Sequence, residues 1–457
     1  MTLPSDLLQA ISAPGGGMVV LVTGAGSSME SPTDFQSGAH YSRRAYDRLV
    51  MDGVIAESDC ADPSDLSALA EAVFVKTGTQ KELTDRLPQA EWRSPNPNAG
   101  HYLAAALLVE GALRHIVTLN FDLAFQIALS TMGRPDAIAI IKGPEESNHA
   151  SSRSLTYLHR SAEADPETWV LRTSALDTDW RDHWEEAVAQ SHLTAPHVVF
   201  AGLGSPAAVL TESAHKLSRA TGNSYYLADP YPENKFAEAL GSTVSTFTYG
   251  WVELITELSR RVVRGQVADW TEAATVLAKE HGIDESIISA VLEPIAQLDL
   301  KRLGELRAAW VNSGTYQADV GAIQRRQLSD IVLAIGRLVA QSAGSVVVDD
   351  AGLVTIRASS RQPVSLGAMH GAGTFGIVQL EQSIASRLDR VPDHRRPRWY
   401  VLAGARSGGT PLPPNIVRAV DSSSIVRGRT IIRYLAAEDI MSADSNQLTQ
   451  ILEELQE

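Results

Sequence analysis

Cysteine is almost absent from this sequence, in which Cys60 is the only one among 457 residues. One thiol forms no intrachain disulfide, and it cannot supply the four thiolates of a zinc ribbon. We therefore expect no zinc, and we expect Cys60 to be a free, buried thiol.

Long apolar runs and several catalytic motifs are also lacking. No stretch approaches 18 consecutive apolar residues, and no Lys or Arg precedes Arg43, so neither a membrane span nor a secretory signal is expected. No H-E-x-x-H, G-x-x-x-x-G-K-[ST] or G-x-S-x-G motif occurs. These absences disfavour a zinc protease, an ATPase with a Walker A loop and a hydrolase with a nucleophile elbow. The resulting expectation is a cytoplasmic protein that has no membrane partner.

Positive charge is scarce outside one region. The net charge is −15, yet residues 301–435 carry 18 basic against 9 acidic residues, and 17 of the 18 are Arg. Five of them are closely spaced: Arg387, Arg390, Arg395, Arg396 and Arg398. Such a cluster is either a solvated face or a site for a nucleotide signal or an acidic partner surface.

The apolar pattern predicts an α/β protein with more than one domain. About five times in the first half of the chain, an apolar strand ends in glycine or a polar residue and a helical pattern follows, which predicts a Rossmann-like doubly wound parallel sheet. We expect this domain at residues 1–262 and a helical connector at 263–343. A smaller mixed α/β C-terminal module, with a role in regulation or assembly, is expected at 344–457.

The first strand ends in a glycine-rich turn. Met18 to Thr23 is apolar, Gly24-Ala25-Gly26 follows, and Ser27 and Ser28 are placed to cap a helix. Glycines next to a helix N-terminus bind phosphates, so the stretch is either a nucleotide loop or only a tight turn.

Later strands end in polar residues that we expect at the same sheet edge. Asn120 and Asp122 follow Ile116 to Leu119, and residues 154–176 are predicted to form two strands, the first ending at His159. The remaining candidates follow two further strands: Gly202, Gly204, Ser205 and Asp229.

With these motifs assembled, the first 260 or so residues resemble the sirtuin superfamily, particularly its bacterial sirtuin-like branch. Gly24 to Ser27, followed by Thr33-Asp34-Phe35, is similar to the family's G-A-G-x-S and I-P-D-F-R-S segments. Thr118 to Asp122 is similar to T-Q-N-x-D, and Leu158-His159 resembles the catalytic-histidine strand. Gly202-Leu203-Gly204-Ser205 and Ala228-Asp229-Pro230 resemble the later nucleotide loops.

The resemblance implies that NAD is the substrate. It implies that Gly24, Ala25, Gly26 and Ser27 hold the phosphates, that Asn120 and Asp122 face the nicotinamide ribose and carboxamide, and that His159 is catalytic. The other expected NAD contacts are Thr33, Asp34, Phe35, Gly202, Gly204, Ser205 and Asp229.

Three departures from the family shape the expected activity. Gln36 stands where the family has Arg, Arg160 stands where Gly is usual, and the zinc ribbon is missing. Protein deacylation is therefore the third choice, behind an NAD+ glycohydrolase of the anti-phage defence type and a non-catalytic NAD or ADP-ribose module that controls assembly. A homo-oligomer is expected, with an ATPase or an Argonaute-like protein as a possible partner.

The C-terminal half offers one further motif. Gly371 to Gly376 is a literal G-x-G-x-x-G, but the preceding SRQPVSLGAMH contains Pro and Gly and predicts a poor buried strand, which disfavours a second nucleotide site. In the tail, Leu448, Ile451, Leu452 and Leu455 share one helical face, which favours core packing over an intermolecular zipper.

Overall fold

A computed structural model describes most of the chain. The described residues are 3–12, 18–132, 138–150, 153–172, 174, 180, 182–205, 208–231, 233–310, 322–349, 352–358, 362–369, 396–403 and 433–456. Gly371 to Gly376, Arg387, Arg390 and Arg395 lie outside them. The chain divides into two compact units, Met1–Arg261 and Val262–Glu457. The predicted division of the second half into a connector and a module stays a prediction.

The first unit has seven strands: β1 Val19–Thr23, β2 Leu113–Thr118, β3 Ala139–Ile141, β4 Ser154–Tyr157, β5 His197–Ala201, β6 Ser224–Ala228 and β7 Val244–Phe247. Its helices are α1 Ser5–Ser12, α2 Gly38–Met51, α3 Leu66–Thr77, α4 Lys81–Thr84, α5 Gln89–Arg93, α6 Ala99–Glu110, α7 Ala124–Thr131, α8 His183–Leu193, α9 Ala208–Thr221 and α10 Lys235–Leu240. The long helix α11, Trp251–His281, begins in this unit.

The strands form one parallel sheet in the order β3-β4-β2-β1-β5-β6-β7. Every residue of β1 is buried, which fits its continuous β-branched and apolar sequence. The chain runs from β1 to one side of the sheet and returns to β5 on the other, so a topological switch point lies between these two strands. The predicted doubly wound parallel sheet is confirmed.

Two local predictions in this unit are wrong. Ser27 and Ser28 cap no helix, because they lie within a short 3-10 turn, Ala25–Ser28, and both side chains are buried. The next helix, α2, is capped instead by Ser37, whose side chain accepts from the His40 N–H at 3.2 Å. The second strand expected within 154–176 is also missing from the described residues there, since Pro166–Thr168 form a 3-10 turn and buried Trp169 packs with aromatic side chains.

The second unit continues α11 and adds α12 Ser286–Ala296, α13 Leu300–Trp310, α14 Ala322–Gln341, α15 Ala437–Ser442 and α16 Ser445–Glu454. Its strands are β8 Ser345–Val348, β9 Val354–Arg357, β10 Val364–Met369, β11 Trp399–Leu402 and β12 Arg433–Ala436, in the order β12-β11-β10-β9-β8. The sheet is mixed: β8, β9 and β10 pair antiparallel, whereas β10, β11 and β12 pair parallel. The predicted mixed α/β module is confirmed.

The stretch expected to make a poor strand is in fact the central strand β10. Pro363 precedes its first residue and so removes no hydrogen bond from the strand interior. Gly367 leaves room for Tyr400 on β11, since a Cβ at Gly367 would lie 2.2 Å from a carbon of the Tyr400 ring. In the tail, Leu448, Ile451, Leu452 and Leu455 are buried, which confirms core packing.

Candidate functional site

The carboxyl ends of five neighbouring strands lie in register. Thr23 pairs with Thr118 and with Ala201, Thr118 with Tyr157, and Ala201 with Ala228. The residues that follow these strand ends are the predicted ones: Gly24, Asn120, His159, Gly202 and Asp229. One edge of the sheet, at its topological switch point, therefore collects the candidate side chains.

The two glycine loops pack directly on each other. The Gly24 N–H donates to the Ala201 carbonyl at 3.1 Å, and the Gly26 N–H donates to the Gly202 carbonyl at 2.9 Å. A Cβ on Gly26 would lie 2.7 Å from the Gly202 Cα, and one on Gly202, whose φ is +68°, would lie 2.5 Å from the Ser27 nitrogen. The absence of a side chain at Gly26 and Gly202 therefore allows the two loops to pack against each other.

Ala25, Gly204 and Ser205 are the exposed members of the two loops. A Cβ on Gly204 would meet nothing within 4 Å. Open backbone at a strand end is the surface on which a phosphate is held, so these three residues are where a ligand has access to the loops.

Ser27 and Ser28 hold the amide of Asn120. Asn120 Nδ2 donates to Ser27 Oγ and to Ser28 Oγ, each at 3.2 Å, and Ser27 Oγ donates to the Gly24 carbonyl at 2.8 Å. Both amide protons of Asn120 are thereby directed into the protein. Its Oδ1 is the part of the side chain that this cluster does not use, and it remains an acceptor for a hydroxyl or a water.

Asp122 anchors the same cluster from below. Ser28 Oγ donates to Asp122 Oδ2 at 2.8 Å, and the Ala124 N–H donates to Oδ1 at 3.0 Å. Burial raises the pKa of Asp122, while the hydrogen bonds from Ala124, Ser28 and Asn120 lower it. Asp122 is thus an internal acceptor that fixes Ser28 and is 5% exposed, and its contact with the nicotinamide ribose or carboxamide stays a prediction.

His101 completes the cluster on the other side of Ser28. Its Nε2 lies 3.4 Å from Ser28 Oγ, and the ring packs edge-on to Phe125. Because the Ser28 proton goes to Asp122, His101 must donate through Nε2, which fixes its tautomer. Burial lowers the pKa of His101 to about 3, so the ring is neutral at pH 7.

His159 emerges from β4 beside this cluster and is half-buried. The backbone of Leu119, the residue before Asn120, acts on the imidazole and raises its pKa. Burial, helped by the positive charge of Arg160, lowers the pKa of His159 to about 4. The imidazole is therefore neutral at pH 7.

The segment after the first loop turns back toward it. The Phe35 N–H donates to the Ser28 carbonyl at 3.0 Å, and buried Thr33 donates to the Asn96 carbonyl at 2.8 Å. Asp34 is exposed and has a φ of +53°, a conformation that Asp tolerates better than most residues. The segment therefore lies next to the first glycine loop, with the Thr33 side chain in the protein interior and Asp34 exposed to solvent.

An aromatic cluster borders Asn120. The half-buried ring of Phe121 stacks on Trp169 at 4.7 Å and on Trp92 at 5.6 Å between ring centroids, and the ring of Phe35 packs against the same cluster. Aromatic rings of this kind stack favourably on other flat rings.

Asp229 lies after β6 and is tied to the second glycine loop. Asn234 Nδ2 donates to Asp229 Oδ2 at 2.6 Å and to the Leu203 carbonyl at 2.8 Å. Asp229 also accepts from the Tyr231 N–H at 2.7 Å. Its carboxylate therefore has a structural partner on each oxygen.

Several residues of the site escaped the sequence reasoning. The sequence predicts Ser28 only as a cap and indicates no role in the site for Asn98, His101 or Asn234. Asn98 donates to the Ser27 carbonyl at 2.9 Å and caps α6. The available signal was an Asn before an apolar helix, which marks the N-cap but not the contact with a distant loop.

Among the described residues, no group of three or more His, Cys, Asp or Glu side chains could hold a metal ion. The described helices also include none long and apolar enough to cross a membrane.

No protein-family model matches the chain, and no curated protein matches it either. Solved structures of Sir2 homologues are similar to it over 56–57% of its length. A Sir2 homologue in complex with NAD has 17% identity, a TM-score of 0.35 and 95% of its own chain covered. A mutant Sir2 homologue in complex with ADP-ribose has 18% identity, a TM-score of 0.33 and 97% of its own chain covered. Sir2 bound to an acetylated peptide has 14% identity, a TM-score of 0.32 and 97% of its own chain covered. At these values the likeness carries no argument about activity, which rests on the contacts above.

Proposed function

We propose that the first unit binds NAD+ and hydrolyses its nicotinamide–ribose bond to give nicotinamide and ADP-ribose. The observation that carries the proposal is the convergence of Asn120, with its amide protons committed inward and its Oδ1 free, and a neutral His159 at the same edge of the sheet. The exposed backbone of Ala25 and Gly204 supplies the phosphate end of the same edge.

Each group has a role in this reaction. Asn120 Oδ1 accepts a hydrogen bond from the attacking water or a ribose hydroxyl and so orients it. The low basicity of His159 makes orientation its main task rather than full removal of a proton in the ground state. The carbon–nitrogen bond to nicotinamide breaks, the water oxygen bonds to the ribose carbon, and the water proton is released. The rings of Phe35 and Phe121 receive the departing ring.

Nicotinamide release from NAD+ by the purified protein tests the proposal. We expect Asn120→Ala and His159→Ala each to lower kcat about 100-fold or more, the range for loss of a positioned acid–base or orienting group. Asn148→Ala and His149→Ala are matched controls, because both side chains are exposed in one turn of the same unit. Equal turnover by the site variants and the controls would refute the catalytic assignment.

A non-catalytic NAD or ADP-ribose module is the second candidate. Arg160 is engaged in a buried ion pair and therefore supplies no polar group to the site, and Gln36 carries no charge. This candidate predicts tight nucleotide binding without nicotinamide release. Turnover of an acylated-lysine peptide would instead indicate the deacylase that we place third.

We further propose that the hydrolase acts in the cytoplasm as a homo-oligomeric anti-phage effector, triggered through its C-terminal module by a nucleotide signal or by a partner such as an ATPase or an Argonaute-like protein. NAD+ levels in phage-infected cells expressing the wild type or Asn120→Ala test this extension. Depletion that occurs only with the wild type, and only after infection, is the expected result; equal NAD+ levels in both would reject it.

A further inference from the structure

Arg160 has an unusual backbone conformation directly after His159. Its φ is +74°, in the left-handed region that glycine adopts freely and most other residues avoid. A glycine would satisfy the backbone at this position without strain. The arginine side chain must therefore contribute something that compensates for the strained conformation.

The side chain is gripped by the first turn of α8. Arg160 Nη1 donates to Glu185 Oε1 and Nη2 to Asp182 Oδ2, each at 2.5 Å. The guanidinium carbon lies 4.9 Å from the centre of the Trp184 ring. Arg160 is 8% exposed and Glu185 only 2%, so this pair is buried, whereas the Asp182 side chain is 43% exposed.

The N-terminal end of α8 is committed to the contact with Arg160. Asp182 is the residue before the helix, where an aspartate usually accepts from the helix N–H groups, yet its side chain caps nothing and bonds Arg160 instead. Near its other end, α8 also contacts β4, since His192 Nε2 lies 3.4 Å from Thr156 Oγ1. The helix thus holds β4 and the residue that follows His159.

We propose that Arg160 is a positioning residue for His159, and that its clamp on Asp182 and Glu185 keeps the imidazole on the Leu119 backbone beside Asn120. The peptide that Arg160 shares with His159 is fixed by the clamp, and the imidazole is attached one residue away. Releasing the clamp leaves this peptide held by the Val170 N–H, which donates to the His159 carbonyl at 3.3 Å, and lets the ring turn away from the Leu119 backbone. The catalytic consequence rests on the proposed NAD+ hydrolysis; the effect on the ring does not.

Arg160→Gly is the decisive variant, because glycine accepts the φ of +74° while the clamp is removed. Arg86→Gly is its matched control, since Arg86 also bridges two carboxylates, those of Asp52 and Glu82. Nitrogen NMR of the imidazoles reports the tautomer of His159 in the absence of substrate. We expect one fixed tautomer in the wild type and in Arg86→Gly, and averaged ring-nitrogen signals in Arg160→Gly.

Kinetics then test the consequence for the reaction. Arg160→Gly should lower kcat more than tenfold with little change in KM, and millimolar guanidinium, which fits between the two freed carboxylates, should restore part of the loss. A fixed tautomer in Arg160→Gly, or a kcat equal to that of Arg86→Gly, would overturn the proposal and leave Arg160 a purely structural ion pair. If the wild type releases no nicotinamide, the proposed function fails while the NMR result still decides the role of Arg160.

Discussion

Gly202 is the residue on which the two loops of the site depend most directly. Its positive φ and the 2.5 Å approach of a Cβ to the Ser27 nitrogen leave no room for a side chain. We expect Gly202→Ala to destabilise the protein by about 1–3 kcal/mol in urea unfolding and to abolish nucleotide binding.

Gly204→Ala, two residues along, is the internal control for this prediction. A Cβ there meets nothing within 4 Å, so stability should stay close to that of the wild type. If both alanine variants lost the same stability, the packing of one glycine loop on the other would not be the reason that Gly202 is needed.

Ser28 is the second residue with a specific role, because its hydroxyl joins Asn120 to Asp122. Ser28→Ala removes a donor from a buried carboxylate and an acceptor from the Asn120 amide, at a cost of about 1–3 kcal/mol in stability. We expect nicotinamide release to fall as well, since the amide is free to turn.

Ser42→Ala serves as the comparison, because Ser42 on α2 is as buried as Ser28 and its hydroxyl donates to the Pro63 carbonyl, between α2 and α3. It should cost about 1 kcal/mol in stability and leave turnover unchanged. Loss of turnover in both serine variants would indicate that stability, rather than the orientation of Asn120, limits the reaction.

At the scale of the secondary-structure elements, the start of α11 is attached to the first glycine loop. Glu30 Oε1 accepts from the Trp251 N–H at 2.7 Å and from the Val252 N–H at 3.3 Å. The carboxylate satisfies two open donors and interacts favourably with the helix dipole. Glu30→Ala should therefore lower the free energy of unfolding by about 1–2 kcal/mol.

Glu253→Ala provides the matched measurement in the first turn of the same helix, where the side chain accepts only from the Gly250 N–H at 3.4 Å. Chemical unfolding followed by circular dichroism compares the two. A loss in Glu253→Ala as large as that in Glu30→Ala would contradict the capping role of Glu30.

At the scale of the whole molecule, buried histidines make stability depend on pH. Burial lowers the pKa of His101 and His115 to about 3, and that of His192 to about 4, from an ordinary value of 6.5. The unfolded chain therefore binds more protons as the pH falls below about 6.5, and stability is lost progressively down to the folded pKa values. Each group contributes a slope of up to about 1.4 kcal/mol per pH unit.

Urea unfolding at pH 7.5 and pH 5.5 should show this loss. His115 stacks on His192 at 4.0 Å and bonds Ser154, and His115→Asn should reduce the slope because it removes one titrating ring. His281→Asn, at the end of α11, should leave the slope as it is. An unchanged slope in His115→Asn would refute the account.

Strand ends were the part of the structure most open to prediction from the sequence. Runs such as Val19–Thr23 are buried on both faces, and a polar or glycine residue marks where each run stops. This local signal placed Gly24, Asn120, His159, Gly202 and Asp229 at one edge. Strand β10 was misjudged because the reason for Gly367 lies on another strand, in the ring of Tyr400.

The parallel sheet of the first unit and the order of its polar strand ends can be predicted from the sequence, because apolar periodicity and the residues that end a strand are local properties. What those residues touch depends on the tertiary structure. Gly24 and Gly26 fit against Gly202, Ser28 joins Asn120 to Asp122, and Arg160 reaches back to α8. These contacts join residues that are distant in the chain, and their energies depend on distances and burial that no local pattern encodes.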